Sequence, residues 1–334
     1  MDLSLRSCCR DRLQQRLEEI TWSAGPDLRA VLTPLLRRPA KRVRPALLFA
    51  VAGIDAEPAG TGPVADALTC AAAVELLHQS SLVHDDLMDD APSRGGVPTL
   101  HREHGSEVAL VAGDFLVGAA GAALCEVGVD AAAAGHGAYR EMCRGQALET
   151  LHRHQMIAVE RYIEIVGGKS GALLRAACML GAQNAGFGVE AVAAYGEYGL
   201  AFGILFQIVD DLVDLLSTPD LAGKPVGQDL PNGVFTLPVL LAALRYGGSF
   251  TAHLGPGGDV GRIQALATRQ VVLAEVIAYA VRYADVARQS LHGAAGRSRR
   301  RLAALPHAFL EHSVRTRLAP EHRLGLAALL SGAR

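Results

Sequence analysis

The stretch VADALTCAAAVELLHQSSLVHDDLMDD, Val64 to Asp90, decides the fold class. Its apolar residues Leu68, Ala71, Ala72, Val74, Leu76, Leu77, Leu82 and Val83 recur at helical spacing, and no Gly or Pro interrupts more than six turns. A run this long predicts a buried helix that ends in carboxylates. Similar helical blocks are expected over Leu28–Ala52, Glu107–Val127, Ala138–Arg153, Val159–Ala182, Val189–Leu216, Leu237–Tyr246 and Ile263–Gly293. Gly- and Pro-rich loops at Gly53–Pro63, Ala91–Pro98, Ser217–Gly233 and Gly247–Gly258 separate them. No alternating strand pattern or short repeat is visible. The expectation is all-α, about a dozen helices in one domain over residues 1–334.

Composition agrees and removes other classes. The 334 residues are 50% hydrophobic, 20% charged and only 5% aromatic, which excludes a disordered chain. A balance of 32 Lys+Arg against 34 Asp+Glu, net −2, argues against a nucleic-acid partner. Mean hydropathy of +0.22 raises the membrane question. Val108–Cys125 is the longest apolar stretch, yet Asp114 near its centre and its many small residues favour a buried helix over a span. Asp2, Arg6, Arg10, Asp11 and Arg12 interrupt any secretory leader, and six cysteines without CxxC spacing suit a reducing cytoplasm.

Chemistry is concentrated in two acidic clusters with the same internal spacing, His84-Asp85-Asp86-Leu87-Met88-Asp89-Asp90 and Phe206-Gln207-Ile208-Val209-Asp210-Asp211-Leu212-Val213-Asp214. Carboxylates at i and i+4 share one helix face, so Asp85 with Asp89, and Asp210 with Asp214, are placed to hold a hard cation jointly. Mg²⁺ fits, because it accepts a few carboxylates and shares its remaining positions with phosphate oxygens. Cations complement the acids: Lys41, Arg42 and Arg44 in AKRVRP, Arg94 after the first cluster, Lys169 in GGKSG and Lys224 after the second. GGKSG, which opens a helix, is half of a phosphate loop. His78 precedes the first cluster on its helix and is placed to face the same cavity or to serve as a hydrogen-bonded core histidine. His101, His104 and the His152-x-His154 pair read as loop or surface residues without enough partners for a metal.

In this order, from Lys41 to Pro238, the motifs resemble the trans-type isoprenyl (polyprenyl) diphosphate synthases: DDxxD at Asp85–Asp89, FQxxDDxxD at Phe206–Asp214, AKRVRP, AGD, GQALE, GGKSG and LAGKPVGQDLPNGVFTLP. The resemblance implies an orthogonal helical bundle of the isoprenoid synthase type around a deep apolar cavity, usually a homodimer, that adds isopentenyl diphosphate head-to-tail to an allylic diphosphate. It implies three Mg²⁺ held by Asp85, Asp86, Asp89, Asp210, Asp211 and Asp214, some of them through water. Arg94, Lys169 and Lys224 would bind the allylic diphosphate, and Lys41, Arg44 and His78 the isopentenyl diphosphate. Ser170 and Gln207 would flank the allylic carbons. These aspartates, with Lys169 and Lys224, form the implied catalytic set. Product length would depend on Ser80, Ser81 and the deeper Leu77, whose small or distant side chains imply geranylgeranyl or longer.

Two residues depart from the pattern. Gly95 stands where the family carries a second Arg, and loss of such a charge-assisted contact costs about 1.5–3 kcal/mol. Ala40 stands for a Gly. Gly95 leaves a second reading, a terpene cyclase or lyase on the same scaffold that needs no isopentenyl diphosphate, but the intact Asp210-Asp211-x-x-Asp214 opposes it. A non-catalytic subunit of a heteromeric synthase is a third reading, opposed by both complete clusters.

Overall fold

The computed structural model describes residues 5, 7–54, 63–222, 226–254 and 258–332. Five helices lead into the first acidic cluster and past it: α1 (Ser7–Ile20), α2 (Gly25–Leu36), α3 (Val43–Ala52), α4 (Pro63–Met88) and α5 (Leu100–His104). The central group is α6 (Ser106–Val127), α7 (Val129–Leu151), α8 (Val159–Val166), α9 (Ala172–Asn184) and α10 (Val189–Leu216). The C-terminal part holds α11 (Pro219–Ala222), α12 (Leu237–Tyr246), α13 (Gly248–Thr251), α14 (Val260–Ala267), α15 (Gln270–Ser290), α16 (Arg299–Thr316) and α17 (Pro320–Gly332). Two antiparallel two-residue strands, β1 (Ser93–Arg94) and β2 (Val97–Pro98), make up the sheet structure of the described residues.

Several expected boundaries move for local reasons. The block Leu28–Ala52 splits into α2 and α3 because the connecting segment contains Pro39 and ends at Arg42, whose φ of 50° is left-handed. Ile263–Gly293 splits at Thr268 and Arg269, where the backbone leaves the helical region before α15. α7 begins at Val129 rather than Ala138, since alanines carry the helix through Gly135 and Gly137. α1, α16 and α17 lie outside every expected block. Ala91–Pro98 folds into the β1–β2 hairpin, and both residues of its loop, Gly95 (φ 61°) and Gly96 (φ 78°), have the positive φ that a type I′ turn requires. Most of the expected loop Gly53–Pro63 lies outside the described residues.

Two apolar clusters fill the interior. One joins α1, α2, α4, α6 and part of α9 through residues such as Leu13, Leu17, Leu36, Leu76, Leu77 and Leu116. The other joins α10, α12, α15 and α16 through Tyr195, Tyr198, Phe202, Leu240 and Ile277. Both are built from fully buried aliphatic and aromatic side chains, each stabilised by about 1.5–3 kcal/mol on transfer from water. α4 and α10, the two acidic helices, belong to different clusters and each runs along its own.

α6 is long and apolar enough to cross a bilayer, with mean hydropathy 2.0 over its best window, and 44% of that window is buried inside the protein. Its inner face carries Ala109, Ala112, Leu116 and Ala120, while Val108 (37% exposed) and Val111 (58%) face outward.

Between α8 and α9 the backbone makes a π turn over Gly167–Gly171, the GGKSG segment. GGKSG therefore does not open a helix as read from the sequence. It lies inside a helical run from α8 to α9. Two glycines facing the turn allow this close packing. A Cβ at Gly145 on α7 would lie 2.5 Å from the Lys169 amide nitrogen, and one at Gly203 on α10 would lie 2.5 Å from Gly171 Cα. Backbone meets backbone at both crossings.

Candidate active site

A cavity of about 1030 Å³ lies between α3, α4, α7, the π turn and α10. The acids enter it selectively. Successive residues on a helix point about 100° apart, so Asp85 and Asp89 face the cavity while Asp86 does not. Asp86 is buried, and its Oδ1 accepts from Arg94 Nε at 2.8 Å and pairs with Nη2 at 2.7 Å. On α10, Asp210 lines the cavity. Asp211 turns inward, accepting from Tyr162 Oη at 2.5 Å and Gln207 Nε2 at 2.9 Å. Asp214 points to the following loop, where it accepts from the backbone N–H groups of Gln228 and Asp229 at 3.3 Å each.

The basic residues reach the cavity from several elements. Lys169, raised on the π turn, donates from Nζ to Glu149 Oε1 at 2.6 Å. Burial works against its charge, but Glu149, Asp85 and Asp89 outweigh that and hold its pKa above the ordinary lysine value. Burial raises the Asp85 carboxyl, and Lys169 opposes the rise. Arg94 also lines the cavity. On another wall stand Lys41, Arg44 and His78. Burial is the first cause that lowers the pKa of each, and neighbouring arginines add to it for Lys41 and His78. His78 is therefore a neutral ring. Arg44 Nε is buried with no hydrogen-bond partner among the described residues, a donor left for a ligand. Arg42 also lines the cavity, but its charge is committed: it makes a buried ion pair with Glu75 at 2.5 Å and donates to the Leu36 carbonyl.

A connected polar network joins the π turn and α8 to the acidic wall of α10. Ser170 Oγ donates to Gln207 Oε1 at 2.6 Å, and Gln207 Nε2 donates to Asp211. Burial, reinforced by Asp210 and Glu149, pushes Asp211 up to about 7 against the hydrogen bonds from Tyr162 and Gln207. A smaller cavity of about 130 Å³ beside this network brings Asp89, Glu149, Asp211, Asp229, Arg153 and Lys169 together.

Of the residues expected to set product length, Ser81 lines the large cavity. Leu77 and Ser80 are buried behind it, and Ser80 Oγ lies 3.5 Å from Tyr139 Oη. Tyr139, Met142, Cys143 and Gln146 of α7 supply the wall there. Lys224 lies outside the described residues. His101 is a correction: it is buried on α5 with Nε2 3.4 Å from Asp90 Oδ1, not on a surface loop. His154 anchors the chain by its backbone, donating to the Gly233 carbonyl at 2.7 Å.

Sequence reasoning missed Arg153, which pairs with Asp89 at 2.6 Å, and Arg317, 3.4 Å from Asp210. Neither sits in a motif. Glu149 and Asp229 do, in GQALE and KPVGQDL, but had no role assigned.

Residues 26–249 match the model of the family described as polyprenyl synthetase. The chain belongs to that family. It is 35% identical over 241 residues to a short chain isoprenyl diphosphate synthase from Methanothermobacter thermautotrophicus, covering 70% of this chain and 72% of that one. It is 34% identical over 264 residues, 77% of each chain, to a nonaprenyl diphosphate synthase from Mycobacterium tuberculosis. Among solved structures, a decaprenyl diphosphate synthase from Rhodobacter capsulatus is similar at TM-score 0.80 and 26% identity, over 92% of this chain and 95% of that one. The fold is thus the all-helical isoprenoid synthase fold, and the enzyme is a prenyltransferase of head-to-tail chain elongation. The cyclase and non-catalytic readings are not favoured by these relatives.

Proposed function

We propose that the chain, acting as one helical domain over residues 1–334, condenses isopentenyl diphosphate with an allylic diphosphate to give pyrophosphate and a polyprenyl diphosphate of geranylgeranyl length or longer. The observation that carries this is one cavity holding Asp85, Asp89 and Asp210 at its acidic walls, the cations Lys41, Arg44, Arg94 and Lys169, and an apolar remainder. Four cations in one cavity suit multiply charged diphosphates.

The donor set fits Mg²⁺. It consists of hard carboxylate oxygens, and no three metal-ligating side chains among the described residues gather closely enough to enclose an ion unaided. Mg²⁺ takes one or two carboxylates per ion and completes its shell with water and phosphate oxygens. Asp85, Asp89 and Asp210 would hold it directly, with Asp86, Asp211 and Asp214 behind them, and three ions are expected. Bound there, Mg²⁺ supplies Lewis-acid stabilisation of the leaving pyrophosphate.

The chain's own residues do the rest. Lys169 and Arg94 hold the allylic diphosphate while its C–O bond breaks. Lys41 and Arg44 hold isopentenyl diphosphate so that its double bond attacks the allylic cation, forming the new C–C bond. Ser170 and Gln207, locked by Asp211 and Tyr162, flank the cation. A proton is then lost to the departing pyrophosphate. The apolar wall of Leu82, Met142 and Leu174 excludes the water that would quench the cation. Ser81, small and facing the cavity, leaves room for a chain longer than fifteen carbons.

We further propose a cytoplasmic homodimer. The outward face of α6, with Val108 and Val111, supports the dimer, and six free cysteines support a reducing compartment. Purified protein with Mg²⁺, allylic diphosphates and labelled isopentenyl diphosphate tests the activity. Labelled products of twenty carbons or more are expected. Consumption of allylic diphosphate without label incorporation refutes the proposal.

A further inference from the structure

Two observations concern the anion that Lys41 and Arg44 await. The first is that Gly95 cannot carry a cation without cost, because the β1–β2 turn holds it at φ 61°. The site is thus one cation short of the pattern the sequence resembles.

The second is a cavity of about 1210 Å³ on the far side of the Ala40–Val43 segment, between α1, α10 and α16. It shares Lys41, Val43 and Phe206 with the catalytic cavity, so the two meet at Lys41. Most cations lining it are committed. Arg37 is bound to Glu18 at 2.7 Å, Arg38 to the Pro98 carbonyl at 2.9 Å, and Arg42 to Glu75. Lys41 has no ion pair among the described residues, and Arg317 has a long contact of 3.4 Å to Asp210.

Arg317 is also fixed in place. Its amide closes the end of α16 on the Ser313 carbonyl, and its own carbonyl accepts from Ser217 Oγ at 2.5 Å. The Ala319 amide bonds the Leu216 carbonyl at 2.9 Å. The end of α16 is therefore tied to the end of α10, the helix that carries Asp210. Arg317 and Lys41 line the same cavity and are near enough to repel one another. Like charges so confined become favourable when a multiply charged anion enters between them.

We propose that Arg317 binds the isopentenyl diphosphate together with Lys41 and Arg44, taking the position in the charge balance that Gly95 leaves empty. The proposal rests on the prenyl-transfer reading above and assigns one residue of α16 to its second substrate.

Steady-state kinetics with each substrate varied in turn test it. Arg317→Gln is expected to raise the KM for isopentenyl diphosphate by about ten- to a hundredfold, the loss of one charge-assisted contact, and to leave the allylic KM within twofold. Arg317→Lys, which keeps the charge, is expected to recover most of the difference and serves if the Gln variant does not fold. A fall in kcat with both KM values unchanged would mean that Arg317 only positions Asp210, and overturns the proposal. Unchanged kinetics in Arg317→Gln also overturns it. If the wild-type enzyme itself incorporates no isopentenyl diphosphate, the broader reading fails instead.

Discussion

Substituting Gly145 by Ala adds one methyl group where α7 crosses the π turn. That Cβ would lie 2.5 Å from the Lys169 amide nitrogen, 2.8 Å from the Ile165 carbonyl oxygen and 3.0 Å from the Gly168 carbonyl carbon. All three are backbone atoms, so no side chain can rotate out of the way. The crossing has to open until the nearest distance reaches the 3.4 Å of ordinary contact. Overpacking of this kind costs about 1–3 kcal/mol, which lowers the melting temperature by roughly 1–4 °C in a chain of this size. The displaced segment carries Lys169 and Ser170, and a misplacement near 1 Å costs about a hundredfold in rate. Gly325→Ala in α17 is the control: nothing lies within 4 Å of its Cβ, and the helix gains about 0.5–1 kcal/mol. Thermal melts and single-turnover assays of both variants provide the measurement. A Gly145→Ala enzyme that melts and turns over like wild type refutes the close-crossing argument.

Three further outcomes are expected. Arg42→Met leaves Glu75 buried without its cation and should lower unfolding free energy by about 3–5 kcal/mol in urea titration, largely restored by adding Glu75→Leu. Ser81→Phe narrows the cavity and should shorten the products seen by chromatography; an unchanged product distribution would place the limit on α7, beside Tyr139. His78 is held below its ordinary pKa by burial and by Arg44, Arg94 and Arg42, so the unfolded chain takes up a proton that the native state refuses. Its contribution therefore destabilises the fold as pH falls below about 6.5, at up to about 1.4 kcal/mol per pH unit. His78→Gln should flatten that part of the stability profile between pH 5 and 7, and parallel profiles would count against the assignment.

Helical periodicity made both acidic helices legible, because Asp85 and Asp89 share a face of α4 just as their spacing requires. The same periodicity accounts for Asp86 and Asp211 turning away, each one residue past the cavity face. Asp214 was less readable. Its i+4 relation to Asp210 puts it on the right side of α10, but the returning Gln228–Asp229 backbone captures its carboxylate. The Gly95 departure was visible as a missing charge, whereas the two-residue turn with positive φ that holds it emerged with the hairpin. Arg317 carries no local signal, since its role depends on α16 packing against the end of α10, more than a hundred residues from Asp210 in sequence. The GGKSG segment misled in another way: its glycines read as a loop before a helix, yet they let the helix continue with an extra residue.

That extra residue constrains how the sequence can change. A π turn holds one residue more than the α-helix around it, so deleting any one of Gly167–Gly171 would let the turn relax to α. Everything on one side would then rotate by about 100° relative to the other. α9 is clamped by α3, α4, α7 and α10 and cannot turn, so the α8 side and Lys169 would have to. Substitutions in this segment change the enzyme by degrees, whereas a change of length redirects its key cation altogether. Inheritance of this site thus depends on a count of residues as much as on their identity, and drift by insertion or deletion is closed to it.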